Sequence, residues 1–262
     1  MADDRGYRIF RNAISVNAIV AAEDACRETL RGKLPRHLDK VLSQADFDNL
    51  SPVDRTRYGL LNAHLFDHVE LRAFVEAFVH ILTCEAMFDC LHAVDNEQHY
   101  TLHQTIFFFE SPLTVPHIEA MTMDTTPQGR AHTVWMAVDD VTPLNGPPFV
   151  VPTPRGEYDP YPDDELKETH RAMVLGKIVT QHTPVAALAL QAGSLAIWAP
   201  STPHGSMPPH PGHERRRSFQ AIYRPTRLNR WGGYPNHDQL HDPDAEEFRV
   251  NARFSFLRVA PP

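Results

Sequence analysis

The sequence predicts a mainly β domain with flanking helices: an antiparallel barrel or jelly roll packed on its outside by N-terminal helices. Three observations carry that prediction. Helical periodicity is confined to the first third of the chain, many short strand-like runs follow it, and the length of 262 residues suits one large β-rich domain. No internal repeat and no second domain are visible. The expected layout is a helical part over about 1–95, a jelly-roll core over about 98–225 and a polar tail over 226–262.

The helices come first. Residues 17–30, NAIVAAEDACRETL, place Ile19, Val20, Ala22, Cys26 and Leu30 on one broad face at helical spacing. A stronger helical region spans 65–94, where Leu71, Phe74, Val75, Phe78, Val79 and Leu82 recur at i, i+3, i+4 and i+7. Cys84 and Cys90 fall on this layer and read as buried thiols.

From residue 98 the period changes. QHYTLHQTIFFFE, AHTVWMAVDDV, GPPFVVP, GSLAIWAP and RSFQAIYRP are short β-branched or aromatic runs, each bounded by Pro, Gly, Asn or Asp. Between them, 156–190 holds an acidic, proline-rich excursion, EYDPYPDDE, that reads as a lid or insertion at the mouth. The tail from Leu228 is polar and turn-rich.

Composition removes several classes of function. A net charge of −8 disfavours non-specific nucleic-acid binding, which depends on cationic neutralisation of phosphates. No apolar run approaches the roughly 18–20 residues that span a bilayer, so no membrane partner is expected. The N-terminus, MADDRGYRIF, lacks the basic and apolar blocks of a secretory signal. Cys26, Cys84 and Cys90 make no CxxC pair and no disulfide framework, which points to a reducing, cytoplasmic setting. The 16 histidines and 23 prolines stand out, and they direct the search toward metal ligands and loops.

The stretch 115–121, VPHIEAM, reads as the end of a strand. Residues i and i+2 of a strand face the same side, so His117 and Glu119 can present an imidazole and a carboxylate to one point. A third ligand is needed from elsewhere, and His204 in APSTPHGS is the candidate. Two histidines and one carboxylate on one face of an ion leave open positions on the other, the arrangement of non-heme Fe(II) oxygenases. Asp124 is the substitute carboxylate if the HIE run is misread. Asp139 and Asp140 fit a loop edge better than a catalytic pair, because adjacent strand residues face opposite sides.

With these residues placed, the chain from about 102 to 223 resembles the phytanoyl-CoA dioxygenase family of Fe(II)- and 2-oxoglutarate-dependent oxygenases. The resemblance rests on Gln104, then HIE at 117–119, WMAVDD at 135–140, NGP at 145–147, VVP at 150–152, HGS at 204–206 and RRRS at 215–218, in the family's order and spacing. It implies a double-stranded β-helix, cupin-like core and a metal triad of His117, Glu119 and His204. It also implies Fe(II), with 2-oxoglutarate and O2 as co-substrates and succinate and CO2 as products. Arg216 is implied as the partner of the far carboxylate of 2-oxoglutarate, sharing a strand face with Ser218, and Arg215 is the runner-up. Gln104, Trp135 and Ser206 match positions that line the co-substrate pocket.

Two departures from the family pattern matter. Glu119 stands where the family has aspartate, so the side chain must fold back, and a carboxylate of either length argues against halogenation. The turn reads VPTPRG without the family's histidine, which bears on substrate choice. The expected reaction is hydroxylation of a small polar metabolite or natural-product intermediate, since no basic cluster is left over to grip a CoA phosphate. The rivals are a redox-neutral cupin-like metalloenzyme and a barrel that binds without catalysis. Dependence on 2-oxoglutarate separates the first from an oxygenase, and succinate release excludes the second.

Overall fold

The computed structural model describes residues 6–30, 41–42, 59–65, 72–108, 110, 114–120, 123–152, 180–213, 216–231 and 246–258. The lid expected over 156–190 lies outside the described residues up to 179, as does Arg215.

Among the described residues the chain runs β1 (Tyr7–Phe10), α1 (Val16–Leu30), β2 (Val41–Leu42), β3 (Gly59–Leu61), α2 (Arg72–Leu82) and α3 (Glu85–Asp95). There follow β4 (Tyr100–Phe108), β5 (Asp124–Thr126), β6 (His132–Ala137), β7 (Pro148–Val150), β8 (Ala186–Ala187), β9 (Leu195–Trp198) and β10 (His204–Ser206). The last strands are β11 (Ser218–Pro225), β12 (Asn229–Trp231), β13 (Glu246–Arg249) and β14 (Phe254–Arg258). The main sheet has the order β1-β9-β6-β11-β4-β14-β13, with β3 on β4 and β2 on β3. A smaller sheet, β10-β7-β8, faces it, and β12 pairs with β5. Two facing, mostly antiparallel sheets make the expected jelly roll.

Period-two alternation decides what each face of the main sheet meets. On β11, Phe219, Ala221 and Tyr223 join the cluster beneath the helices, together with Val134 and Met136 of β6 and Leu195 and Ile197 of β9. The alternate residues of those strands, Trp135, Ala137, Ala196 and Trp198, point between the sheets and meet Val150, Leu188 and Leu190. Helix α2 presents Phe74, Phe78, Ile81 and Leu82 to the outer face, and Phe78 and Phe107 each stack on Phe219 with ring centroids 4.6 Å apart. Truncating one such buried phenylalanine to alanine costs about 3–5 kcal/mol. The Tyr223 hydroxyl donates to the Leu82 carbonyl (2.9 Å), pinning the end of α2 to β11.

Within 65–94 the described residues hold two helices, α2 and α3, rather than one, and Leu71 lies outside the described residues. The Thr83 hydroxyl bonds back to the Val79 carbonyl at the end of α2, and α3 restarts after Cys84 and ends on Asn96 in the left-handed conformation. At its end Asp95 accepts from His132 Nε2 (2.6 Å) and from Tyr100 OH, stapling α3 to β4 and β6. Burial opposes ionisation of Asp95, but the His132 contact outweighs it and holds its carboxyl below the usual carboxylate range. Cys90 is a buried free thiol, and burial lifts its pKa to about 12.

Several expectations needed correction. Val20 is exposed, while Ile19 and Ala22 carry the buried face of α1. The first 95 residues are not all helical: β1, β2 and β3 extend the main sheet. Strand β1 escaped notice because it is four residues long with one buried side chain. Gly193, at φ +81°, anchors the start of α1 beside β9. A Cβ there would lie 2.3 Å from the Ile14 carbonyl oxygen, and its own carbonyl accepts from Ile14 N (2.9 Å). The polar tail also enters the sheets, with β14 running parallel to β4 through Phe254, Ser255 and Phe256.

Candidate active site

The HIE run is not a strand. Residues 114–120 are irregular, and their regularity is borrowed from β10. His117 and His204 form an isolated antiparallel bridge, exchanging N–H to carbonyl hydrogen bonds of 2.9 Å in both directions. Three residues earlier, the Ser206 hydroxyl accepts from Thr114 N (2.8 Å) while Ser206 N donates to the Thr114 carbonyl (3.1 Å). Two residues later Glu119 N donates to the Pro200 carbonyl (3.0 Å). The segment is thereby laid along 200–206, and the i, i+2 side chains converge for a tertiary reason. Gly205 allows the close approach: a Cβ there would lie 2.8 Å from both the Thr114 carbonyl oxygen and the Phe149 ring.

The side chains of His117, Glu119 and His204 each offer a ligand atom, and these atoms lie within 4.8 Å of one another. His204 Nε2 is 3.0 Å and His117 Nε2 3.8 Å from Glu119 Oε1. Donors about 2.1 Å from one ion and at right angles to each other are about 3 Å apart, so the spacing fits a metal. The tautomers fit as well. His117 Nδ1 donates to the Val115 carbonyl (2.8 Å) and His204 Nδ1 to the Thr202 carbonyl (2.9 Å). A carbonyl only accepts, so a proton sits on each Nδ1, and in the neutral ring Nε2 is then the atom that faces a metal. His204 Nε2 is buried 3.0 Å from Glu119 Oε1; burial would lower the His204 pKa, but the adjacent carboxylate outweighs it and raises it.

Electrostatics follow from burial. Glu119 and His204 are nearly inaccessible, whereas the His117 side chain is 26% exposed and stands at the mouth. Burial alone would raise the Glu119 carboxyl, but the two imidazoles reverse that and hold it ionised. Burial lowers His117, and His204 beside it lowers it further, favouring the neutral ligand form.

The cleft beside these residues is lined by Phe108, Trp135, Trp198, Ser206, Arg216 and Gln220, among others. Arg216 is 2% exposed, with Nε donating to the Gly146 carbonyl (3.0 Å) and Nη1 to Ser218 Oγ (2.8 Å). Its guanidinium lies 4.6 Å from the centre of the Trp135 ring. Burial lowers its pKa to about 9, which leaves it cationic at neutral pH. Among the described residues no carboxylate forms an ion pair with it. Asp139 offsets part of the cost of burying this charge, and a buried cation without a direct ion pair is where an anionic ligand would be favoured.

The remaining predicted residues sort themselves around this cleft. Trp135, Ser206 and Ser218 line it. Ser206 also has a second task, holding Thr114. Gln104 is set back, because it pairs with Ile222 on β11, two residues beyond Gln220 and its partner Ile106. Asp124 is no ligand: it accepts from the backbone N–H groups of Thr125, Gly129 and Ala131, closing the turn between β5 and β6. Asp139 grips Arg217 through both Nε and Nη2, and Asp140 receives Ala192 N (2.9 Å), so both are loop-edge residues. Sequence reasoning missed Gln220 and Trp198. Gln220 sits two residues past Ser218 on the same strand face, and that period was the available signal.

Comparison with known proteins agrees with this geometry. The phytanoyl-CoA dioxygenase (PhyH) family profile matches residues 2–218. A comparison with curated protein sequences finds no match. Among solved structures, the chain is similar to the non-heme α-ketoglutarate-dependent carbocyclase SnoK from nogalamycin biosynthesis, at 16% identity and TM-score 0.60, covering 91% of this chain and 87% of that one. The epimerase SnoN, solved with Fe3+, α-ketoglutarate and nogalamycin RO, gives 17% identity and TM-score 0.60 over 90% and 85%. EctD from S. alaskensis, with 2-oxoglutarate and 5-hydroxyectoine, gives 16% and 0.55 over 85% and 73%. The chain belongs to the phytanoyl-CoA dioxygenase family and is an Fe(II)- and 2-oxoglutarate-dependent oxygenase that uses O2.

Proposed function

We propose that His117, Glu119 and His204 hold the iron, that Arg216 takes the far carboxylate of 2-oxoglutarate, and that the enzyme hydroxylates a small polar metabolite or natural-product intermediate. One observation carries the reading. A single cleft has convergent donors at one end and, at the other, a buried guanidinium that no carboxylate among the described residues ion-pairs.

Each residue has a task that follows from its contacts. Arg216 offers its remaining N–H groups to a carboxylate, and its plane is fixed by Gly146, Ser218 and the Trp135 ring. Trp135, Trp198 and Phe108 wall the cleft and exclude water, which strengthens the charge–charge contact there. The Nδ1 hydrogen bonds hold both imidazoles in the orientation that presents Nε2. When bound, iron with 2-oxoglutarate and O2 supplies the oxidising chemistry, and succinate and CO2 leave as the co-substrate's products.

The substrate class is argued from charge. Of the RRR run, Arg216 is buried and Arg217 is committed to Asp139, so neither is free to grip a CoA phosphate. Nogalamycin RO accompanies SnoN and 5-hydroxyectoine accompanies EctD on the same fold, which supports a small-molecule substrate here.

The test measures succinate formed from 2-oxoglutarate with Fe(II), alone and then with a panel of small polar compounds. The expected result is iron-dependent succinate release, stimulated by the true substrate and matched by a product carrying one added oxygen atom. A product of unchanged mass formed without 2-oxoglutarate would overturn the reading in favour of a redox-neutral metalloenzyme.

A further inference from the structure

The inner face of β11 continues a polar row. Arg216, just before the strand, is followed at the two-residue period by Ser218 and Gln220. The first two bond to one another at the co-substrate end of the cleft. Gln220 serves the other end. Its side-chain Nε2 donates to Glu119 Oε1 over 3.1 Å. A carboxylate only accepts, so the amide must turn its NH2 toward it. Oε1 is also the oxygen nearest His204 Nε2 and within 3.8 Å of His117 Nε2.

Glu119 creates the need for this contact. Glutamate has one more side-chain torsion than aspartate, and the extra methylene must be folded back for the carboxylate to meet both imidazoles. The backbone beneath it is irregular, joined through Glu119 N to the Pro200 carbonyl and through Met123 N to the Glu119 carbonyl (2.8 Å). Glu119 is 6% exposed, so bulk water does not orient its head. A donor on a rigid central strand, paired on one side with β4 and on the other with β6, can do so.

We infer that Gln220 is a positioning residue that holds the longer Glu119 carboxylate in its metal-binding orientation, so that the two residues act as a coupled pair. This rests on the ligand set proposed above. Gln220 touches neither co-substrate nor metal in this role; it acts through Glu119.

Co(II), a spectroscopically visible stand-in for Fe(II), provides the test. Its affinity is measured by competition titration, and its ligand-field absorption bands by visible spectroscopy, for Gln220→Met, Glu119→Asp and the double variant. Losing a hydrogen bond to a metal ligand costs about ten- to hundredfold in metal affinity. Gln220→Met is expected to weaken Co(II) binding by that factor and to shift the absorption bands, with the melting temperature of the metal-free protein unchanged. In the Glu119→Asp background the same substitution is expected to change affinity less than about twofold, because the shorter acid no longer spans to Gln220. Gln220→Leu serves as a second donor-free variant should Gln220→Met fold poorly. Parental affinity and spectrum in the donor-free variants would overturn the inference. Equal weakening in both backgrounds would overturn it too, since Gln220 would then be a general wall of the cleft. His117→Ala separates the two levels. If that variant binds Co(II) as the parent does, the ligand set is wrong; if it loses Co(II) while Gln220→Met keeps it, only the role of Gln220 falls.

Discussion

Replacing Arg216 by methionine isolates the part of the site that recognises the co-substrate. The guanidinium is 2% exposed, donates to Gly146 and Ser218, and has no carboxylate partner among the described residues. A hydrogen bond to a charged group contributes about 1.5–3 kcal/mol. At about 1.4 kcal/mol per decade this is about a ten- to 150-fold rise in the 2-oxoglutarate concentration needed for half-maximal succinate release. Protein stability should move little. The variant loses two hydrogen bonds but also removes a buried charge that no carboxylate among the described residues ion-pairs, and these effects oppose each other. Metal affinity should stay at the parental value, because Arg216 is not a ligand. Arg217→Met is the control. Its guanidinium is committed to Asp139 and partly exposed, so the variant loses about 1 kcal/mol or less of stability and keeps its co-substrate requirement. Titration of 2-oxoglutarate against the two variants decides the matter. An unchanged requirement in Arg216→Met, or a shift carried by Arg217→Met instead, would refute the assignment of the buried cation to the co-substrate.

Three further outcomes follow from the geometry. His204→Ala or His117→Ala should keep the near-ultraviolet circular dichroism of the parent while losing stoichiometric iron in a metal assay, because either change leaves two ligands. Gly205→Ala should lower the melting temperature by several degrees, since its methyl would press on the Thr114 backbone at 2.8 Å and overpacking costs about 1–3 kcal/mol. His64, buried against Thr105 Oγ1 (2.8 Å), is held neutral by burial, with its pKa lowered from 6.5 to about 3. The folded state thus binds fewer protons than the unfolded one between those values. The contribution is complete above pH 6.5 and is lost as pH falls toward 3, amounting to about 2 kcal/mol between pH 7 and pH 5. Thermal melts across that range should show a shallower pH dependence for His64→Leu, and parallel curves would exclude the effect.

The fold could be read from sequence wherever one element carried its own periodicity. The alternation in RSFQAIYRP puts Phe219, Ala221 and Tyr223 against the helices, and the i, i+4 pair Phe74 and Phe78 supplies the surface they meet. Elements that owe their regularity to a neighbour could not be read this way. Strand β1 has one buried residue and exists because Tyr7, Arg8, Ile9 and Phe10 pair along β9. The parallel strand β14 joins β4 from more than 140 residues away, with no local signal for the pairing.

The active site divides along the same line, and the HIE run shows why. Its two ligand types at i and i+2 are weak evidence alone and gain weight only with His204 and the motifs around them, and the three side chains lie together in the structure. A strand is not what brings them together. Convergence comes from the His117–His204 bridge and the Thr114–Ser206 hydrogen bonds, so it depends on a glycine at 205 that lets two backbones approach. Gln220 is a common residue type, 101 positions from the carboxylate it holds, and the two-residue period from Ser218 gives its strand face but not its partner. Residues that carry charge or bind metal advertise themselves by chemical type. Residues that hold them in place acquire their role only when β11 is paired with β6 and β4, and that pairing turns the two-residue period running through Arg216, Ser218 and Gln220 into a row spanning both ends of one cleft.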